Sequence, residues 1–178
     1  MNKQKLTDTN IKSLMDKLGS KDVATRLKAR KSLTSLGKPA VLSLSRALNN
    51  SKLDHLRWEA AKTLGAIGDI RSIPSLVKAL DDSNIDVEWL AAEALKKFKK
   101  NAWPELLHAL IKSEEDSVSL RHGAHHVLKN QKEAGFKDLL TNLLVALKSS
   151  MAPEMTAIAA NEILKQMKVK SSAIIIRK

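Results

Sequence analysis

The sequence contains no cysteine and no tyrosine, and it has only two phenylalanines. Without cysteine the chain can form no disulfide, no cysteine-ligated zinc site and no thiolate nucleophile. No apolar run approaches the roughly 18 residues that a membrane span requires. The segment MNKQKLTDTN at residues 1–10 also lacks the apolar core of a secretory signal. We therefore expect a cytoplasmic protein without a membrane span.

Motifs that would indicate catalysis are also missing. The chain has no glycine-rich phosphate loop, no nucleophile elbow and no pair of catalytic carboxylates in a recognisable setting. We therefore predict a protein that has no catalytic residues, no cofactor and no bound metal.

The sequence does contain an internal repeat. The stretch LRWEAAKTLGAIGD at residues 56–69 has approximate copies along the chain, and the copies end at Leu33, Leu64, Leu95, Leu128 and Leu164. These ends are separated by 31, 31, 33 and 36 residues. A period of this length is typical of stacked helical repeats.

Each copy follows another amphipathic segment, and short turn-like stretches separate the two. All four prolines lie just inside predicted helix starts. The pattern predicts ten helices in five antiparallel pairs, over residues 11–18 with 22–36, 39–48 with 56–67, 74–80 with 87–98, 104–110 with 118–128, and 137–147 with 153–167. The expected fold is all-α, a right-handed α-solenoid.

The predicted organisation is a lead-in at 1–10, a single repeat domain at 11–167 and a tail at 168–178. Within the tail, the run AIII at 173–176 has high β propensity. We expect this run either to cap the last helix pair or to add to a partner as an extended strand.

Several residues resemble a known family of repeats. They are Pro74 and the KAL ending at Leu80 on a first helix, and Arg57, Ala60, Ala61, Leu64 and the GAIGD ending at Asp69 on a second helix. With them the chain resembles the HEAT-repeat family, in particular short repeats similar to the phycobilisome-lyase HEAT-like repeats.

The resemblance implies a solenoid whose second helices line the concave side. It also implies a ladder of Asp and Arg between repeats, to which Asp22 with Arg26 and Asp54 with Arg57 could contribute. Glu88 could accept a hydrogen bond from a neighbouring Arg.

Helical phase places one position of the repeat on the outside. At about 100° per residue, Trp58 points away from the apolar stripe of its helix. The equivalent positions in the five copies form a row of Leu27, Trp58, Trp89, His122 and Ile158. We predict that this row, with Lys62, Glu93 and His126 beside it, binds a partner. The alternative is that the Trp rings pack sideways over the next repeat. For Trp103 we instead expect a hydrophobic staple at a helix entry.

The net charge of +12 is unevenly distributed. It is concentrated in residues 1–38, in residues 163–178 and in the basic rim Lys96, Lys97, Lys99 and Lys100, whereas 39–95 and 101–162 are each slightly acidic. A groove that follows phosphates would carry basic residues in every repeat. The distribution therefore favours a protein partner with an acidic, partly apolar segment over nucleic acid.

Three alternative functions stay open at this point. His122 and His126 are spaced to share a metal, with Glu93 or Glu162 as further ligands, although surface histidines are the simpler interpretation. The deoxyhypusine hydroxylases, also HEAT-like, bind iron through His-Glu pairs, but this chain has Trp58-Glu59 and His122-Gly123 at those places, so the pairs are broken and this chemistry is not among the three. Trp89 with Glu93 partly resembles the alkylpurine DNA glycosylases, and the repeat subtype also suggests a lyase or chaperone that acts on a cofactor-bearing protein.

Overall fold

The structure is a computed structural model that describes residues 3–113, 117–149 and 153–176, with side chains described from 8 to 170 apart from 114–116 and 150–153. The first two residues of the predicted lead-in and the last two of the predicted tail lie outside this range. The chain divides into two compact units, Met1–Phe98 and Lys99–Lys178, which we call the N-terminal and C-terminal units. The predicted single repeat domain at 11–167 stays a prediction.

Ten α-helices occupy the described part of the chain. They are α1 (Lys3–Leu18), α2 (Val23–Leu36), α3 (Val41–Asn50), α4 (Asp54–Ile67), α5 (Ile73–Lys78), α6 (Ile85–Phe98), α7 (Trp103–Lys112), α8 (Val118–Leu128), α9 (Lys137–Lys148) and α10 (Pro153–Ile176). The described residues include no β-strand. The predicted all-α fold of helix pairs is confirmed, and none of the described helices is long and apolar enough to cross a membrane.

Local chemistry explains where these helices begin and end. The Asp22 carboxylate caps α2 by accepting a hydrogen bond from the Thr25 N–H at 2.8 Å. Gly68 ends α4 with φ +69°, a left-handed conformation in which most other residues are strained. Three of the four prolines lie in the first turn of a short helix or 3₁₀ turn, where the missing N–H costs nothing.

The N-terminal unit consists of three helix pairs in two layers. The second helices α2, α4 and α6 pack side by side, and the first helices α1, α3 and α5 form the other layer. Leucines that are fully or almost fully buried fill the space between the layers: Leu18, Leu33, Leu44, Leu48, Leu64, Leu76, Leu80 and Leu95. Burial of these side chains is the main force that stacks the repeats, since a single pair cannot cover its own apolar face.

Helices α4 and α6 approach each other unusually closely. A Cβ atom placed on Gly65 would lie 2.7 Å from the Cβ of Ala94. Two small residues at the crossing point therefore set the distance between the second and third repeats of this unit.

An ion-pair ladder links neighbouring repeats in the same unit. Arg57 is 8% exposed, and its guanidinium donates two hydrogen bonds of 2.8 Å to the Asp82 carboxylate in the turn before α6. The expected pair of Arg57 with Asp54 is also present, at 3.1 Å. Arg26 differs from the expectation: it binds Glu59 and the carbonyls of the preceding turn, whereas Asp22 serves as the helix cap.

The C-terminal unit is built differently. α10 packs mainly against α7 and α9, and α8 packs mainly against α9. Trp103 at the start of α7 is 1% exposed and meets Phe136 edge-on, with ring centroids 5.5 Å apart. Trp103 is therefore a core residue at a helix entry, and its ring contact is with the turn that leads into α9; the hydrophobic staple stays a prediction.

The tail corrects one expectation. α10 continues as one helix to Ile176, so residues 168–176 form no extended strand. Lys170 donates a hydrogen bond to the Ala134 carbonyl, and its ammonium lies 4.6 Å from the centroid of the Phe136 ring. These contacts attach α10 at Lys170 to the turn that leads into α9.

Candidate functional site

The most distinctive surface of the N-terminal unit lies on the outer side of its second helices. We call it the tryptophan face and define it by Leu27 and Arg30 on α2, Trp58 and Lys62 on α4, and Trp89 and Glu93 on α6. Trp89 is 55% exposed and Leu27 is 39% exposed. Helical phase thus predicts both residues correctly, and large apolar groups in a row on neighbouring helices are unusual for a merely solvated surface.

Trp58 is half-buried, which is less exposed than its helical phase predicts. Two cations cover part of its ring: the Lys62 ammonium lies 4.3 Å and the Arg30 guanidinium 5.9 Å from the ring centroid. Lys62 stands one turn further along α4 and Arg30 comes from α2, so Trp58 is held between its own helix and the preceding repeat. Cation–π contacts of this kind stabilise the ring by about 0.5–1 kcal/mol each at exposed sites.

Glu59, beside Trp58, fixes one of these cations. Its side chain is 5% exposed, and it accepts hydrogen bonds from Arg30 Nη1 at 2.7 Å and from Arg26 Nε at 3.3 Å. One buried carboxylate therefore holds two arginines that are one helical turn apart on α2. This arrangement aims the Arg30 guanidinium at Trp58 and leaves a net positive charge at this part of the face.

The third repeat carries the other half of the face. Glu93, one turn after Trp89, accepts a hydrogen bond from Lys96 Nζ at 2.8 Å. The ammonium of Lys97 lies 3.5 Å from the Gly65 carbonyl and so reaches back to α4. Around the two indoles, Arg30, Lys62 and Lys97 thus outnumber the carboxylates, and Glu59 and Glu93 are each ion-paired.

The basic rim is less uniform than the sequence suggests. Lys96 and Lys97 lie on α6 in the N-terminal unit, whereas Lys99 and Lys100 lie in the 3₁₀ turn that opens the C-terminal unit. Lys100 is ion-paired with Glu133 at 2.8 Å, and this hydrogen bond lowers the pKa of Glu133 below its usual value. Part of the rim is therefore neutralised by neighbouring carboxylates.

The three clustered histidines, His122, His125 and His126, lie on α8 in the C-terminal unit. His122 is exposed and His126 is half-buried. Burial lowers the pKa of His125 between them, and the nearby Lys148 and Lys129 lower it further. Among the described residues no group of three or more His, Asp or Glu side chains is placed to hold a metal ion.

Ile158 does not continue the row from His122. Its helix α10 packs on α7 and α9, and any contact of α10 with α8 is marginal. Ile158 is 52% exposed and faces a separate groove of about 490 Å³ between α9 and α10, together with Val145 and Met155. The prediction of one row from Leu27 to Ile158 is therefore wrong at its last step.

Arg30 and Glu59 also belong to the site, although helical phase alone does not single them out. Arg26 and Arg30 are spaced four residues apart on α2 and therefore share one side of that helix, opposite Glu59 of the next copy. This spacing was a usable signal. Without that spacing, the sequence does not distinguish Glu59 from a carboxylate exposed to solvent.

The fold and the face together define the class of protein: an all-α solenoid of antiparallel helix pairs with an exposed surface on its second helices. The family model for HEAT repeats matches residues 11–96. Residues 11–96 therefore consist of HEAT repeats, which typically mediate protein interactions. A search of curated proteins gives no match to the chain.

Proposed function

We propose that the chain is a non-enzymatic adaptor, and that its tryptophan face binds a partner protein through an acidic, partly apolar segment. The observation that carries this proposal is the exposure of Trp89 beside a Trp58 ring that is flanked by Arg30 and Lys62. Aromatic and arginine side chains supply most of the binding energy at protein interfaces.

The two halves of the face suit different parts of such a segment. Trp89 offers an indole that is 55% exposed to an apolar side chain, and Arg30 and Lys62 offer donors to a carboxylate next to Trp58. Neighbouring packed helices lie about 8–10 Å apart. An extended segment rises about 3.3 Å per residue and points alternate side chains to the same side, so an apolar residue and an acid roughly two or four positions apart would contact the two halves.

The test compares capture of partners from native cells by three forms of the chain. The Trp58→Ala/Trp89→Ala variant should lose a partner that the unchanged protein retains. The control variant Leu42→Ala/Ile70→Ala removes two apolar side chains that are 61% and 62% exposed away from the face, and it should retain the partner. Circular dichroism and melting should be close to unchanged in all three. A loss of fold in the Trp variant would show that the rings are packing residues.

The alternative of a DNA-binding protein similar to the alkylpurine glycosylases makes a different prediction. It requires DNA retention that falls steeply with salt, and release of bases from alkylated DNA. Filter binding at two salt concentrations separates the two functions.

The lyase or chaperone alternative keeps the protein-binding face but adds a cofactor on the partner. An absorbance spectrum of the captured partner between the ultraviolet and the red distinguishes it from a plain adaptor.

A further inference from the structure

A second candidate surface lies in the C-terminal unit, apart from the tryptophan face. It is a groove of about 520 Å³ between α9 and the segment at 129–134 that precedes it. We call it the lysine groove. The lysines of this segment lie outside the copies of the repeat.

The rim of the groove is basic. Lys129, Lys132 and Lys137 line it, and all three are exposed. Within the part of the chain that the structure describes, none of the three forms an ion pair. Glu133 is the one acid among the lining residues, and Lys100 neutralises it at 2.8 Å. The groove therefore presents three uncompensated positive charges.

The floor of the groove is apolar. Leu140 and Leu144 stand one turn apart on α9 and line it from that side, and Ala134 lines it from the other. Leu144 is half-buried, so part of its side chain remains in contact with solvent. An apolar floor under a ring of cations matches a ligand that carries acids and apolar groups together.

These features select one occupant among the possible anions. A nucleic-acid backbone would gain from the lysines but would place charged phosphates over the leucine floor. A small molecule would need a cavity that encloses most of its surface, and this groove is open along its lysine rim. A protein segment with Glu or Asp beside Leu or a similar residue satisfies both the rim and the floor.

We propose that the lysine groove is a separate docking site for an acidic amphipathic segment of a partner protein. Apolar side chains of the segment contact Leu140 and Leu144, and its carboxylates accept hydrogen bonds from Lys129, Lys132 and Lys137. This site does not depend on the tryptophan face, because every residue that forms it belongs to the C-terminal unit.

The experiment uses the full chain and a short fluorescein-labelled peptide built from repeated Glu-Leu-Leu-Glu blocks. Fluorescence anisotropy gives its affinity for the unchanged chain and for Lys132→Gln/Lys137→Gln. We expect the affinity to fall roughly threefold to tenfold, as for the loss of two exposed ion pairs. The matched control Lys112→Gln/Lys148→Gln removes two exposed lysines of the same unit outside the groove and should change the affinity less than about twofold.

Three further measurements test whether the peptide binds in the lysine groove. The Leu144→Ser variant should weaken binding while circular dichroism stays unchanged, and a peptide of Gln-Leu-Leu-Gln blocks should bind more weakly. The Trp58→Ala/Trp89→Ala variant should still bind the first peptide, with an affinity that remains sensitive to Lys132→Gln/Lys137→Gln.

Several results would overturn the proposal. If the groove variant and the control lose the same affinity for the peptide, the effect is due to net charge alone. If the glutamine peptide binds as tightly as the glutamate peptide, the lysines do not recognise the carboxylates. Binding that disappears with the two Trp residues would place the peptide on the other unit. If the groove lysines control retention of oligodeoxythymidine but not of the peptide, the groove is a phosphate site.

Discussion

The substitution Glu59→Gln tests whether one buried carboxylate organises the tryptophan face. Removing one partner of a buried ion pair costs about 3–5 kcal/mol. Here the arginine side chains of the two pairs retain 17% and 20% exposure, so solvent screens part of the loss. Glutamine also keeps one carbonyl acceptor for Arg26 or Arg30. We therefore expect the free energy of unfolding to fall by about 1–3 kcal/mol.

The assay is urea unfolding followed by circular dichroism and by tryptophan fluorescence. In a thermal scan the same loss corresponds to a drop in Tm of about 2–4 °C per kcal/mol for a chain of this size. A double-mutant cycle of Glu59→Gln with Arg30→Met should give a coupling energy of about 0.5–3 kcal/mol.

The control is Glu88→Gln, which removes the same charge from a half-buried position on α6. We expect it to change stability by no more than about 0.5 kcal/mol. If Glu59→Gln is no more costly than this control, or if the coupling with Arg30 is below about 0.3 kcal/mol, the carboxylate does not hold the face together.

Three further predictions concern the fold. Gly65→Ala should destabilise the N-terminal unit by about 1–3 kcal/mol in urea unfolding, because its methyl group overlaps Ala94; a neutral result would show that α4 and α6 separate freely. Arg57→Met should lower the free energy of unfolding by about 3–5 kcal/mol in the same assay, because the carboxylate of Asp82 would lose its ion-pair partner. A change near zero would contradict the inter-repeat ladder. Hydrogen bonds from Arg71 lower the pKa of Asp69 from 3.8 to about 2. The stability due to this pair is therefore complete above about pH 4 and lost as the pH falls towards 2, and Asp69→Asn should remove that part of the acid dependence measured by unfolding at each pH.

The helix pairs were predictable because several independent sequence signals indicate the same helices. A period near 31 residues, prolines at helix starts and apolar spacing all indicate the same pairs, and agreement across levels is the mark of a well-specified fold. The exposure of Trp89 and Leu27 followed from helical phase alone, since each stands two positions before a buried alanine of its helix, Ala91 and Ala29.

Other features depend on tertiary contacts that a single sequence does not show. The spacing of the copies widens to 33 and then 36 residues in the second half of the chain, and there α10 packs on α7 instead of on α8. Equivalent position in a repeat therefore did not mean equivalent position in space for Ile158. The partial burial of Trp58 likewise depends on Arg30, which reaches it from another helix.

The charge distribution shows the same limit. Lysines that are far apart along the sequence, such as Lys100 and Lys170, meet over the Phe136 ring at 4.8 Å and 4.6 Å from its centroid. A count of charged residues along the sequence places these two lysines in separate clusters. The antiparallel course of α9 and α10 brings Lys170 to this ring, and Lys100 reaches it from the turn before α7. The uncompensated rim of the lysine groove likewise becomes visible only once α9 and the segment before it are placed.

The most direct measurement of the central claim is the affinity of a partner protein, once captured, for single variants of the tryptophan face. By isothermal titration calorimetry, Trp89→Ala should weaken binding by about thirtyfold or more, the loss expected for an interface anchor worth about 2 kcal/mol or more. Trp58→Ala should weaken it too, and the control Leu42→Ala should leave it unchanged. Equal affinities for the Trp89→Ala and Leu42→Ala variants would contradict the account.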